Sequence, residues 1–333
     1  MSTDRNPAAL WRMRRRRDGR IATYAIAVGL LAVATVLHGV RDNDRSRVAA
    51  PMPDIASLAA PRDVTVSALG ALFGKVGYDL EAVRAGLQGV PRLTLDGVPQ
   101  DMDDLPHPGD RKATFIAFML PLVLQANERV LEQRRFLEGV AAGIAAGQEP
   151  DQGVRARLQA IALEYGVAED DLPALLDRVD AVPPSLALAQ AAIESGWGTS
   201  RFVREGNAAY GQQTTADYDN LMPLGQPEGP SYRMRAFGSL MESVDSYLRN
   251  LNTHAAYANF RQTRATMRQA GTDADGATLA GALEIYSEEG QRYIDLIRHV
   301  IRRNGLEAFN RARLDSVSLP PASFRVADQR SGT

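Results

Sequence analysis

Cysteine is absent from all 333 residues of the chain. No disulfide can brace the fold, no thiolate can hold zinc, and no cysteine can act as a nucleophile. Histidine is nearly as scarce: His38, His107, His254 and His299 are scattered, with no HExxH pair among them. That argues against a histidine-rich metal site and leaves carboxylate-bound calcium or magnesium as the remaining metal class. No cofactor is expected. A surplus of charge is missing too. The net charge is −2, so nothing global favours nucleic acid as a partner. There is no internal repeat, and no GxSxG elbow or neighbouring histidine that would make Ser195 a nucleophile.

The composition that remains is ordinary for a globular protein, 45% apolar and 23% charged. The length suits one sizeable domain with extensions, or two small ones. Residues 1–20 are basic, with Arg12, Arg14, Arg15, Arg16, Arg17 and Arg20. An uncharged run, IATYAIAVGLLAVATVL, follows from Ile21 to Leu37. It lies at the short end of what spans a bilayer as a helix, and it exceeds the usual ~7–15 residue core of a signal peptide. Residues 21–40 are therefore read as a transmembrane anchor. Secretion after cleavage near Ala49 and Ala50 is the competing reading. The arginines would keep residues 1–20 cytoplasmic and place everything after residue 40 on the far side, in a bacterium the periplasm. The inner membrane is thus an expected partner.

Residues 41–112 read as a linker and extended arm. Pro51, Pro53 and Pro61 mark the tether, Tyr78 to Leu87 suits a helix, and DMDDLPHPGD suits a solvated connector better than a metal site. Helical patterning begins at Thr114 and dominates residues 113–310. Leu124, Val130, Leu131 and Leu137 fall at helical spacings in a long first helix, where Pro121 predicts a kink or a fresh start. Shorter helices are expected over Gln159–Tyr165 and Asp171–Val179. Tyr210 to Tyr232, rich in Gly, Pro, Thr and Asp, suits a hairpin or an irregular flap and is the one place where strands are expected. Ser239-Leu240-Met241-Glu242 is a capping box that opens a helix through Leu251, and it explains Glu242 without a catalytic role. Thr278–Tyr286 and Gln291–Arg303 supply two more helices, and residues 311–333 read as a tail. The fold class is mainly α (α+β).

One stretch organises the rest: VPPSLALAQAAIESGWGTSRFVREGN, from Val182 to Asn207. Leu186 to Ile193 is apolar apart from Gln190, so its helix should be buried on all sides. Pro183 and Pro184 suit the first turn, and Gly196 suits the stop. A single carboxylate, Glu194, ends the run. Apolar neighbours and the negative end of a helix both favour the protonated form of a carboxyl group. From the residues alone, two readings stay open: a general acid, or a buried glutamate satisfied by Arg201 or backbone N–H groups.

The segment PSLALAQAAIESGWGTSRF resembles the signature of the bacterial glucosaminidase domain, glycoside hydrolase family 73, and within it the Bax-like branch. The resemblance extends through Asn207 and Gly211, FGSLMESVDSYLRNL at 237–251, IYSEEGQRYIDLI at 285–297, and the opening helix FMLPLVLQANERVLEQRRFL at 118–137. It implies a lysozyme-like helical domain with a small strand-bearing lobe. It also implies hydrolysis of the β-1,4 bond after N-acetylglucosamine in peptidoglycan glycan strands, with Glu194 as the catalytic acid and Tyr286 positioning substrate or water. Tyr293 falls in the same motif, where substrate binding competes with core packing. Trp197 is read either as a substrate contact or as packing for the catalytic helix.

The chain departs from the family at two points. Asn207-Ala208-Ala209-Tyr210-Gly211 stands where the family usually shows Asn-Leu-Phe-Gly, with Asn207 and Tyr210 as candidate substrate-binding residues. Glycosidases normally work with a pair of carboxylates, and the flap offers Asp217, Asp219 and Glu228, of which Glu228 in QPEGPSYR is preferred. The substrate's own 2-acetamido group is the alternative nucleophile. Two other functions stay open: a lytic transglycosylase on the same fold, and a non-catalytic wall-binding or scaffold protein.

Overall fold

A computed structural model describes residues 64–214, 220–221, 233–315 and 322–323. The expected anchor at 21–40, the tether, and the flap acids Asp217, Asp219 and Glu228 lie outside the described residues.

From Val64 onward the chain is folded rather than extended. Thr65 and Asp79 accept from backbone N–H groups and so cap α1 (Val66–Lys75) and α2 (Leu80–Arg84). Leu69, Val83, Val90 and Met102 are buried in the common core. The Arg84 guanidinium donates to the carbonyls of Asn304 and Gly305, each at 2.9 Å, and lies over the Phe309 ring. Residues 64–107 are therefore a wrapped part of the domain. Their strand β1 (Leu93–Thr94) pairs in parallel with a two-residue strand at Ala322–Ser323, in a stretch read from sequence as tail.

The long helix α3 (Pro108–Ala145) starts before Thr114 and passes through Pro121 with no fresh start. The Gln125 side-chain amide donates to the Pro121 carbonyl at 3.0 Å and to Leu93 O at 2.8 Å. Among the described residues only this helix is long and apolar enough to cross a bilayer, and 72% of its apolar window is buried inside the fold. It is the core helix. Next come α4 (Gln152–Tyr165), α5 (Leu172–Arg178), α6 (Pro184–Ser195) and α7 (Arg201–Gly206). A three-stranded antiparallel sheet follows, made of β2 (Gln213–Thr214), β3 (Asn220–Leu221) and β4 (Arg233–Arg235) in the order β2-β4-β3. Its register pairs Gln213 with Met234 and Asn220 with Arg235.

The C-terminal half contains α8 (Leu240–Thr253), α9 (Ala258–Gln269), α10 (Gly276–Ala280) and α11 (Gln291–Arg303), then a 3₁₀ turn at Leu306–Arg311. Helix α6 runs through the middle, packed by α3, α10, α11 and that turn. Every residue from Leu186 to Ala192 is buried, as a helix apolar on all faces requires.

Helix α9 has no counterpart in the sequence reading, because its inward face carries Arg261 and Arg264 beside a single apolar residue, Phe260. Arg264 is 1% exposed and donates to the carbonyls of Asp177, Arg178, Asp180 and Ala181 and to Asn252 Oδ1. Arg268 Nε adds a bond to Asp180 Oδ2 at 2.7 Å. These bonds clamp the end of α5 and the turn that launches α6.

Candidate active site

Helix α6 carries Glu194 to its last turn. Gly196 then takes a left-handed conformation (φ 59°), and the Trp197 N–H closes onto Ala192 O at 2.9 Å. Ser195 is spent on this stop: its hydroxyl donates to Ala191 O and accepts from the Gly198 N–H. It has no nucleophile's role.

Glu194 is half-buried. Its one hydrogen-bond partner among the described residues is Tyr293, whose hydroxyl donates to Oε1 at 2.7 Å. Arg201, the partner considered from sequence, pairs instead with Glu205 at 2.8 Å. Burial raises the Glu194 pKa to about 7 against the smaller, lowering effect of the Tyr293 bond. A carboxylic acid that keeps its proton near neutrality is what proton donation to a leaving group requires.

Tyrosines surround this acid. The Tyr293 and Tyr286 rings are parallel within 2° at 5.5 Å, Tyr257 lies 6.0 Å from Tyr286, and Tyr210 stacks on Tyr247 at 3.9 Å. Tyr286 comes from the 3₁₀ turn Glu284–Tyr286, and its hydroxyl donates to Tyr210 O at 3.0 Å, tying that turn to the loop after α7. Burial raises the pKa of Tyr247, Tyr286 and Tyr293 well above the ordinary phenol value, so these rings stay neutral. The Tyr210 hydroxyl is buried without a hydrogen-bond partner among the described residues. Beside the cage lies a cavity of about 380 Å³ lined by Tyr210, Gly211, Gln212, Tyr257 and Tyr286, with Arg235 and Arg249 farther along its wall. Larger hollows on the seam between the N-terminal segment and the 306–311 turn contain none of these groups.

Of the residues singled out from sequence, Glu194, Tyr210, Tyr286 and Tyr293 come together here. Trp197 packs elsewhere, edge-on to Phe115 at 5.7 Å with the Lys112 ammonium over its ring. Asn207 is fully buried at φ 52°, ends α7, and donates through Nδ2 to Phe237 O at 3.0 Å. It joins two loops and lines no cavity described here. Three members of the cluster escaped sequence reading: Tyr247, Tyr257 and Gln190. Gln190 did leave a signal, as the lone polar break in an apolar helix one turn before the acid. No group of acidic or histidine side chains that could hold a metal occurs among the described residues.

The family model described as mannosyl-glycoprotein endo-beta-N-acetylglucosaminidase matches residues 175–306. Protein bax of Escherichia coli K12 is 33% identical over 199 residues, covering 58% of this chain and 69% of that protein. The chain belongs to the glucosaminidase family, glycoside hydrolase family 73, and is Bax-like within it. Among solved structures, the catalytic domain of the autolysin Auto from Listeria monocytogenes aligns over 52% of this chain and 96% of its own, at 13% identity and a TM-score of 0.30.

Proposed function

We propose that this protein is a peptidoglycan N-acetylglucosaminidase, cleaving the β-1,4 bond after N-acetylglucosamine with Glu194 as general acid. One observation carries the reading: a carboxyl group held protonated by burial, with Tyr293 as its partner, beside a cavity walled by tyrosines. Glu194 gives its proton to the glycosidic oxygen as the C1–O bond breaks, and the bonding pair leaves with that oxygen. Positive charge gathers at C1. The 2-acetamido oxygen of the same sugar, or a flap carboxylate such as Glu228, closes onto C1. Water then displaces it and returns a proton to Glu194. Tyrosine faces suit sugar rings, and Tyr286 lines the cavity while holding the Tyr210 loop in place. Arg235, on the cavity wall, suits the carboxylates that a wall strand carries, whereas Arg249 pairs with Glu164 at 2.8 Å. A substrate of this kind places the domain outside the cytoplasm, consistent with the anchor reading of residues 21–40.

Purified sacculi digested with the wild type should yield reducing N-acetylglucosamine ends. Glu194→Gln should lose roughly 10²–10⁴ in rate, and an unchanged rate would eliminate Glu194 as the acid. A second reading is favoured by the single carboxylate that the described residues bring to the site: a lytic transglycosylase, recognised by 1,6-anhydromuramic ends. Retained binding to insoluble peptidoglycan with no clearing in a zymogram would point to a wall-binding protein instead.

A further inference from the structure

We infer that Gln190, held by Tyr247, decides which oxygen of the Glu194 carboxyl group carries the transferable proton, which makes Gln190 a positioning residue for the acid. The inference rests on the reading of Glu194 as the acid. Gln190 is completely buried and sits one helical turn before Glu194 on α6. The Tyr247 hydroxyl donates to Gln190 Oε1 at 2.6 Å. The amide nitrogen of Gln190 therefore faces the other way and donates to the Tyr293 hydroxyl oxygen at 3.1 Å. A phenol has one proton to give. With its oxygen accepting from Gln190, Tyr293 sends that proton to Glu194 Oε1 at 2.7 Å.

Oε1 is thus committed as an acceptor, and the carboxyl proton belongs on Oε2. That oxygen lies beside Gly211, so close that a side chain there would put its Cβ 2.7 Å away. Gly211 lines the tyrosine-walled cavity. The proton is therefore placed on the side of the acid that faces Gly211, a residue of the cavity wall. With the amide reversed, Tyr293 would donate to Gln190 and the acid's proton would turn inward onto Oε1. The direction of one buried amide sets the direction of the acid.

Among the described residues, the titratable groups that face Glu194 are Tyr293 on α11, Tyr286 on its turn, Tyr247 on α8 and Tyr257 on the turn at Ala255–Tyr257. All have pKa values raised by burial, and Glu194 makes no ion pair among the described residues. Any titration of the cluster near neutrality is therefore that of Glu194.

The experiment compares wild type, Gln190→Met, Gln190→Glu and Tyr247→Phe. Glu194 would be titrated directly through its carboxyl ¹³C resonance, with Glu194→Gln as the assignment control, and kcat/KM measured across pH. Losing the amide donor weakens Tyr293 as a donor to the anion. Gln190→Met should then shift the Glu194 titration and the alkaline limb of kcat/KM to higher pH. It should also lower kcat on the order of tenfold with little change in KM. Tyr247→Phe should shift the titration the same way by less, and it carries the test if Gln190→Met fails to fold. Gln190→Glu should restore activity only at acid pH, where the protonated carboxyl can still accept from Tyr247 and donate to Tyr293. An unmoved Glu194 titration in folded Gln190→Met or Tyr247→Phe overturns the inference. A wild type that does not cleave wall defeats the acid reading alone, since the resonance still reports the relay.

Discussion

Tyr293 places its hydroxyl 2.7 Å from Glu194 Oε1 across a sequence separation of 99 residues. The contact joins the amphipathic helix α11 to the buried helix α6. It also gives the acid a partner that stabilises the anion without neutralising it, so burial wins and the proton is retained.

The raised pKa makes Glu194 a cost to folding at high pH. The native carboxyl titrates near 7, above its ordinary value of 4.5. The native state therefore holds the proton more tightly than the unfolded chain. The associated stability is complete below about 4.5 and is lost as pH rises through about 7, an effect on the order of a few kcal/mol. Glu194→Gln should raise Tm at pH 8–9 by several degrees and change it little at pH 4. Thermal melts across this range check it, and a pH-independent difference would count against a shielded acid.

Gly211 is where chain conformation and acid position meet. It has φ +64°, and an added Cβ would lie 2.7 Å from Oε2 and 3.4 Å from Cδ of Glu194. Gly211→Ala should cost about 1–3 kcal/mol through backbone strain and displacement of the carboxyl group. Activity should fall further than stability does. Denaturant melts read beside kcat/KM separate the two effects.

Trp197 is expected to act through packing. Its ring meets Phe115 edge-on and carries Lys112 over its face, away from the tyrosine cage. Trp197→Ala should destabilise the fold by roughly 2–4 kcal/mol and leave KM for wall fragments near the wild-type value. A large rise in KM with stability intact would instead make Trp197 a substrate contact.

Arg264 should be among the most costly residues to remove. Arg264→Met removes a donor from the carbonyls of Asp177, Arg178, Asp180 and Ala181, of which Asp180 O keeps Asn252 and Arg178 O keeps the Asp180 N–H. A loss of about 3–5 kcal/mol is expected, measured by urea unfolding. The surviving folded fraction should keep its pH optimum, because the clamp lies at the start of α6 and the acid at its end.

Some of this architecture was legible before any coordinates. Pro184 opens α6 and Gly196 closes it, and a run of apolar residues with no polar face can only be buried. The cap expected at Ser239 forms, with Ser239 Oγ accepting from the Glu242 N–H at 3.2 Å, while the Glu242 carboxylate accepts from the Gly238 N–H at 2.8 Å rather than from that of Ser239. Helix α9 was invisible because periodicity counts apolar residues, and two of the three residues this helix buries, Arg261 and Arg264 beside Phe260, are arginines. The segment from residue 64 reads as an arm because its apolar positions are broken up by turns and show no long helical period. Its place in the core comes from contacts such as Arg84 with the carbonyl ends of α11.

Sequence alone determined the acid at 194, the helix that carries it and the family to which the chain belongs, since all three are written in one contiguous stretch where local chemistry is enough. Only tertiary structure decided the partners of that acid. Tyr247, Tyr286 and Tyr293 come from three elements other than α6, which carries both Gln190 and Glu194, and the direction of a hydrogen bond among them depends on where these elements meet in space. Periodicity along a chain holds no record of that meeting.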